Sequence, residues 1–214
     1  MSQKKIGVVG WNTGENTFGV GKNYLTWISK FGAPIILTPH NREIENLDLL
    51  ILPGGADINP WTYGEIPHFN TGAPNVMLEY FDAVMLPQYI ESGIPIFAIC
   101  RGAQKLWTLA GGSLDQHNNW HAQSESGTND VAHGLCYTQD YKNWKGLLNK
   151  VNSRHHQTMD ASSISKGIPD ILDVIAYSEA AKANTYYPTI VEMFKFKTKE
   201  IYGVQFHPKN FGAC

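Results

Sequence analysis

Gly93-Ile94-Pro95-Ile96-Phe97-Ala98-Ile99-Cys100-Arg101-Gly102-Ala103-Gln104 is the stretch that decides the fold. An apolar run of strand type ends at Cys100, a helical pattern starts at once, and Ala98 and Gly102 flank the cysteine at two residues' distance. Small-x-nucleophile-x-Gly at a strand-to-helix junction is the sequence form of a nucleophile elbow, here with cysteine as the nucleophile. The sharp turn forces the central residue into strained backbone geometry, so larger flanking side chains would collide. The helix N-terminus beside the sulfur carries about half a positive charge and favours thiolate over thiol. A free cysteine is more often a small buried hydrophobe. That reading suits Cys136, inside a strand-like run, and Cys214, at the terminus. The junction makes Cys100 the expected nucleophile.

Working outward, short apolar runs alternate with helical patterns. Strands are expected at Ile6–Gly10, Pro34–Leu37, Leu47–Leu52 and Ile94–Ile99. Helices are expected around Tyr24 to Phe31, from about Asn75 to Tyr89 with Pro87 kinking or ending it, and from Gly102 to Ala110. The Gly14 to Gly21 region lacks Gly-x-Gly-x-x-Gly spacing and reads as a loop on the sheet's carboxyl edge. Trp11, Phe18 and Tyr63 are candidates there for substrate selectivity. Strand, helix, strand in this order implies right-handed crossovers and an α/β fold, a mostly parallel sheet with helices on both faces. Val131–Tyr137, Ile171–Tyr177, Ile190–Lys197 and Ile201–Phe206 read as shorter strands, antiparallel or mixed. No repeat or linker divides the chain, and residues 1–214 are expected to form a single domain.

The 214 residues carry 17 Lys plus Arg against 19 Asp plus Glu, a net charge of -2 without an electrostatic footprint for nucleic acid or anionic membrane. Three cysteines are too few for a disulfide framework. The first residues run into a strand pattern rather than an apolar signal core, and no apolar run reaches bilayer length. A cytoplasmic protein is expected, with homo-oligomerisation left open.

A cysteine nucleophile needs a base, and His207 is the best placed of the eight histidines, since Ile201-Tyr202-Gly203-Val204-Gln205-Phe206 delivers it to the sheet edge before Pro208. His155 and His156 sit in the polar cluster Val151-Asn152-Ser153-Arg154-His155-His156-Gln157, where alternation lets only one of them face a pocket. His40, His68, His117, His121 and His133 read as structural. Gly54 and Gly55, just past a strand, allow backbone N–H groups to approach a substrate oxygen. With the N–H of Arg101 they could form an oxyanion hole, worth about 3–4 kcal/mol per donor. No metal site is expected, because His and acidic residues show no short ligand spacing, and the mechanism calls for no cofactor.

Pro53-Gly54-Gly55-Ala56-Asp57-Ile58-Asn59-Pro60 with Tyr63-Gly64-Glu65, the Cys100 elbow, Gly111-Gly112-Ser113-Leu114-Asp115-Gln116, the Asn152–Gln157 cluster and Tyr202-Gly203-Val204-Gln205-Phe206-His207-Pro208 occur in this order. The series resembles the class I glutamine amidotransferase superfamily, and within it the gamma-glutamyl hydrolase branch that includes gamma-glutamyl-gamma-aminobutyrate hydrolase. The resemblance implies a flavodoxin-like sheet and thioester chemistry on a small-molecule gamma-glutamyl amide or glutamine. It implies Cys100 and His207 as catalytic residues, and Gly55 and Arg101 as oxyanion donors. Gly54, Gln104, Arg154, His155 and His156 would bind substrate. The family normally reads His-Pro-Glu, the Glu orienting the histidine, whereas this chain reads His207-Pro208-Lys209. A lysine cannot accept the imidazole N–H. Either a Cys–His dyad suffices, Asn210 or another side chain orients the histidine, or the protein is a weakened enzyme or binding relic. A glutaminase component feeding ammonia to a separate synthase is the alternative function.

Overall fold

The computed structural model describes residues 3–14, 17–39, 46–118, 121, 133–146, 148–166, 168–179 and 190–208. In chain order the elements are β1 (Lys5–Val9), β2 (Trp11–Gly14), β3 (Thr17–Gly19), α1 (Lys22–Ile28), β4 (Ala33–Leu37), β5 (Leu49–Leu52), α2 (Val76–Tyr80), α3 (Leu86–Ser92) and β6 (Ile96–Ile99). They continue with α4 (Arg101–Leu109), β7 (Leu114–Asp115), β8 (His133–Tyr137), β9 (Lys150–Val151), β10 (Thr158–Asp160), α5 (Ile168–Ile171), β11 (Leu172–Ser178), β12 (Ile190–Phe196) and β13 (Ile201–Val204).

One sheet runs β4-β1-β5-β6-β13-β12-β11-β8-β9, with β10 pairing β12 and β7. β4, β1, β5, β6 and β13 are mutually parallel. These strands are apolar along their length because both faces are covered, as a parallel sheet requires. On one face α1 buries Tyr24 and Ile28 against Ile6, Val8, Ile51 and Ile99. On the other, Leu78, Leu86, Tyr89 and Leu106 from α2, α3 and α4 pack on Leu50, Leu52, Ile96 and Ala98. From β13 outward the pairings turn antiparallel, as the shorter strand patterns of the second half allow. The central architecture is the mostly parallel α/β sheet with helices on both faces that the sequence implies.

One local reading is corrected and another is narrowed. Trp11–Gly14 and Thr17–Gly19 pair as the antiparallel strands β2 and β3 rather than lying in an open loop. The helix of 76–92 does not end at Pro87. A wide π turn at Phe81–Met85 precedes it, and the helix resumes with Pro87 in its first turn, closing at Gly93 with φ 76°. The wider turn relieves the ring's clash with the carbonyl four residues back.

The chain reverses its direction of winding at β1, which pairs with β4 on one side and β5 on the other. The crevice at the carboxyl ends of such strands is where doubly wound sheets bind ligands. β6 and β13 are parallel neighbours in register Val204↔Ile99. Cys100 and His207 therefore leave the sheet at the same end. Among the described residues, no helix is long and apolar enough to cross a membrane.

Candidate active site

Cys100 caps α4 with φ 52° and ψ -110°, the only non-glycine with positive φ among the described residues. Its N–H is held by Val204 O at 2.7 Å, and Gln104 N donates to its carbonyl at 2.9 Å. The strained conformation is therefore fixed from both the sheet and the helix. Room for the turn comes from Gly102, where a Cβ would stand 2.6 Å from Leu52 O.

A cavity of about 300 Å³ opens above Cys100, lined by Trp11, Tyr24, Gly54, Gly55, Cys100, Arg154 and His207. Cys100, His207, Gly54, Gly55 and Arg154 thus meet, although four separate segments contribute them. Gly54 is wedged between His207 and Cys100, and a Cβ there would lie 2.7 Å from His207 Cε1 and 3.4 Å from Cys100 Cβ. Gly54 N–H is already engaged, donating to Tyr24 Oη at 2.8 Å. Gly55 is exposed towards the cavity.

Of the remaining expected site residues, Arg101 is present only through its backbone, and Gln104, His155 and His156 do not line the cavity. Arg101 turns its guanidinium away, into ion pairs with Glu79 (3.0 Å) and Asp82 (2.8 Å), leaving only its backbone beside Cys100. Burial raises the Asp82 carboxyl pKa, and the Arg101 cation pulls it back. Gln104 donates through Nε2 to Gln157 O at 2.7 Å inside the protein and is not on the cavity wall. His155 is buried, with Nδ1 2.9 Å from Gln157 O. Burial and His121 hold its pKa well below the usual imidazole range. His156 reaches Asp57, Nε2 to Oδ2 2.9 Å, and His117 at 3.1 Å between Nδ1 atoms. Neither histidine lines the cavity, since His155 is turned into the interior and His156 towards Asp57 and His117.

The Asn152–Gln157 cluster instead works as a set of clamps. Asn152 accepts from His207 N (2.9 Å) and donates to His207 O (3.1 Å), so one side chain grips the histidine's backbone at both ends. Gln157 does the same to Ile58, accepting from its N at 2.9 Å and donating to its O at 3.3 Å. The first clamp positions the imidazole, and the second holds the loop that follows Gly54 and Gly55. Only Arg154 from the cluster reaches the cavity wall.

Tyr24 was not anticipated, because its helical spacing with Trp27 and Ile28 reads as packing. Its ring is buried, 6.4 Å edge-on from Trp11, while its hydroxyl meets Gly54 N and stands 3.5 Å from His207 Nδ1. Burial pushes the phenol pKa far up, so it remains protonated at any physiological pH. Of the selectivity candidates, Trp11 lines the cavity, while Phe18 and Tyr63 do not. His40, Lys209, Asn210 and Cys214 lie outside the described residues.

A strained cysteine elbow, a histidine from the adjacent parallel strand and a glycine-rich loop at one end of an α/β sheet are the arrangement of a class I glutamine amidotransferase-like protein. The chain belongs to the peptidase C26 family, whose model matches residues 10–209. It is similar to protein NtpR of Enterococcus hirae, 31% identical over 194 residues, covering 83% of this chain and 75% of that protein. It is also similar to a component of the glutamine-hydrolyzing GMP synthase of Methanococcus vannielii, 30% identical over 181 residues, 83% of this chain and 74% of that protein. A glutamine amidotransferase structure from Thermotoga maritima shares the fold, with TM-score 0.61 at 17% identity over 98% of this chain and 77% of that one.

Proposed function

We propose that the protein is a cysteine hydrolase that cleaves the gamma-glutamyl amide bond of a small gamma-glutamyl compound. The observation that carries this reading is Cys100, strained at φ 52°, sharing one cavity with His207 and the exposed Arg154. In this mechanism the Cys100 thiolate attacks the side-chain amide carbonyl and forms a C–S bond. The oxyanion is stabilised by the N–H groups of Gly55 and Arg101, at the N-terminus of α4. The tetrahedral intermediate collapses, the C–N bond breaks, and His207 gives its proton to the leaving amine. Water then attacks the thioester, losing a proton to His207. The C–S bond breaks, releasing glutamate and the thiolate. Arg154 pairs with the carboxylate of the glutamyl moiety.

With Lys209 where the family has Glu, Tyr24 takes over as a positioning residue for His207. A hydroxyl accepts from the Nδ1–H of an imidazolium and donates to Nδ1 of the neutral ring, so it can follow both protonation states. The Asn152 clamp fixes the backbone behind that ring.

The test is a panel of gamma-glutamyl amides (polyamine, aminobutyrate and peptide leaving groups) incubated with the protein alone. Glutamate release from at least one, abolished in Cys100→Ser, is expected. A panel without release from protein whose Cys100 alkylates rapidly would refute it. The similarity to a component of a glutamine-hydrolyzing GMP synthase favours a second reading, a glutaminase that works with a separate synthase. Under that reading glutamine hydrolysis emerges only when a partner protein is added.

A further inference from the structure

His121, His133 and Glu192 come from three distant segments, yet each brings a ligand atom to within 4.8 Å of the others. None of them lines the Cys100 cavity. Glu192 lies on β12 at 0% exposure, and neither of its carboxylate oxygens has a hydrogen-bond partner among the described residues. A buried carboxylate without partners is strongly unfavourable unless a cation compensates it. Its near neighbour is His133 Nε2, 3.3 Å from Oε1, in ion-pair range but out of line for a hydrogen bond.

The His133 tautomer sharpens the problem. Nδ1 stands 3.0 Å from Gly134 O, and a carbonyl only accepts, so Nδ1 carries the proton. A neutral ring would aim its Nε2 lone pair at a carboxylate oxygen. Two electron-rich atoms facing each other in a dry interior call for a positive charge between them. His121 Nδ1 stands 4.0 Å from the same oxygen. A proton on His133 would satisfy one contact. An ion would engage all three groups.

We propose that His121, His133 and Glu192 hold a divalent transition-metal ion of the zinc class in a structural site apart from the Cys100 cavity. Two imidazole nitrogens and one carboxylate oxygen are a donor set that suits zinc. Ligands about 2.0–2.1 Å from a tetrahedral ion stand about 3.3–3.4 Å from one another. The His133–Glu192 pair is already at 3.3 Å. The His121–Glu192 pair, at 4.0 Å, needs to close by about 0.6 Å to reach that edge. The His133 Nδ1–H bond to a main-chain carbonyl is the outer support that metal-ligating histidines usually have. Ser153 Oγ, 3.2 Å from His121 Nδ1, donates to the His121 carbonyl and braces that residue.

The site bears on the scaffold of the active site. Ser153 follows Asn152, which grips His207, and the Glu192 carbonyl accepts from Gln205 N at 2.9 Å. The ion would cross-link residue 121, β8 and β12 behind that clamp. The donors are too far apart in the chain for any short ligand spacing to reveal them.

The test uses the full chain stripped with chelator, titrated with Co²⁺ under visible absorption and with Zn²⁺ by calorimetry. One equivalent, tetrahedral d–d bands and a higher Tm with metal are expected. His133→Ala, His121→Gln and Glu192→Gln should each weaken binding at least about tenfold, whereas Cys100→Ser should bind as the parent does. If Glu192→Gln does not fold, His121→Gln decides. The proposal is overturned if the stripped parent binds no stoichiometric metal, leaving a buried imidazolium–carboxylate pair alone. It is equally overturned if Cys100→Ser abolishes binding while the histidine variants keep it.

Discussion

Replacing Gly54 by alanine adds one methyl group at the most crowded point of the cavity. Gly54 lies outside the left-handed region that Gly64, Gly93, Gly111 and Gly146 occupy, so its backbone accepts an L side chain and the substitution probes space alone. The new Cβ would sit 2.7 Å from His207 Cε1, 3.2 Å from Tyr24 Oη and 3.4 Å from Cys100 Cβ. Unstrained carbon–carbon contact begins at about 3.5 Å, so the imidazole must retreat by close to 1 Å. It cannot retreat with its backbone, because Asn152 holds His207 N and O at 2.9 and 3.1 Å. The ring must therefore rotate away from the sulfur. A misplacement of about 1 Å in a catalytic group costs on the order of 100-fold, about 2.7 kcal/mol of barrier. The assay is kcat/KM for gamma-glutamyl amide hydrolysis, alongside the rate at which limiting iodoacetamide alkylates Cys100 relative to Cys136. Both should fall in Gly54→Ala, with Tm nearly unchanged. A folded variant with parental kcat/KM and parental Cys100 reactivity would show that the His207–Cys100 geometry does not control this chemistry.

Other perturbations test the parts around that pair. Asn152→Ala leaves the buried N and O of His207 without their clamp, and urea unfolding should register a loss of about 1–3 kcal/mol together with a fall in kcat. Tyr24→Phe removes the acceptor of Gly54 N–H and the hydroxyl facing His207, so kcat should drop and its pH profile shift while KM holds. Arg154→Gln, at an exposed cavity residue, should raise KM for gamma-glutamyl substrates at least about tenfold while Tm stays the same. Asp82→Ala strips the Arg101 guanidinium, 3% exposed, of one of two partners. A loss of about 3 kcal/mol in Tm-based or denaturant stability is expected, as for other broken buried pairs.

The elbow was legible because it is local. Strand, small residue, cysteine, glycine and helix are neighbours in the chain, and the same residues that mark the turn enforce the φ of 52° at Cys100. His207 was legible for a related reason, since a strand pattern ends just before it. The Asn152–Gln157 cluster was legible as important but misread in role. Asn152 and Gln157 bond to the backbones of His207 and Ile58, which no periodicity ranks. The family resemblance implies pocket roles for His155 and His156, whereas the fold gives His155 to the Gln157 carbonyl and His156 to Asp57.

By itself, then, the chain's pattern determined an α/β sheet, its covered faces, the cysteine at the elbow and the end of the sheet where chemistry belongs. These follow from short-range rules of periodicity and turn sterics. Tertiary structure alone decided which polar groups meet: Tyr24 with Gly54, Asn152 with His207, Arg101 with Asp82, and His121 with His133 and Glu192. Each of those pairs is a long-range contact set by strand register and crossover, and side-chain chemistry remains undetermined until the register brings its partner alongside.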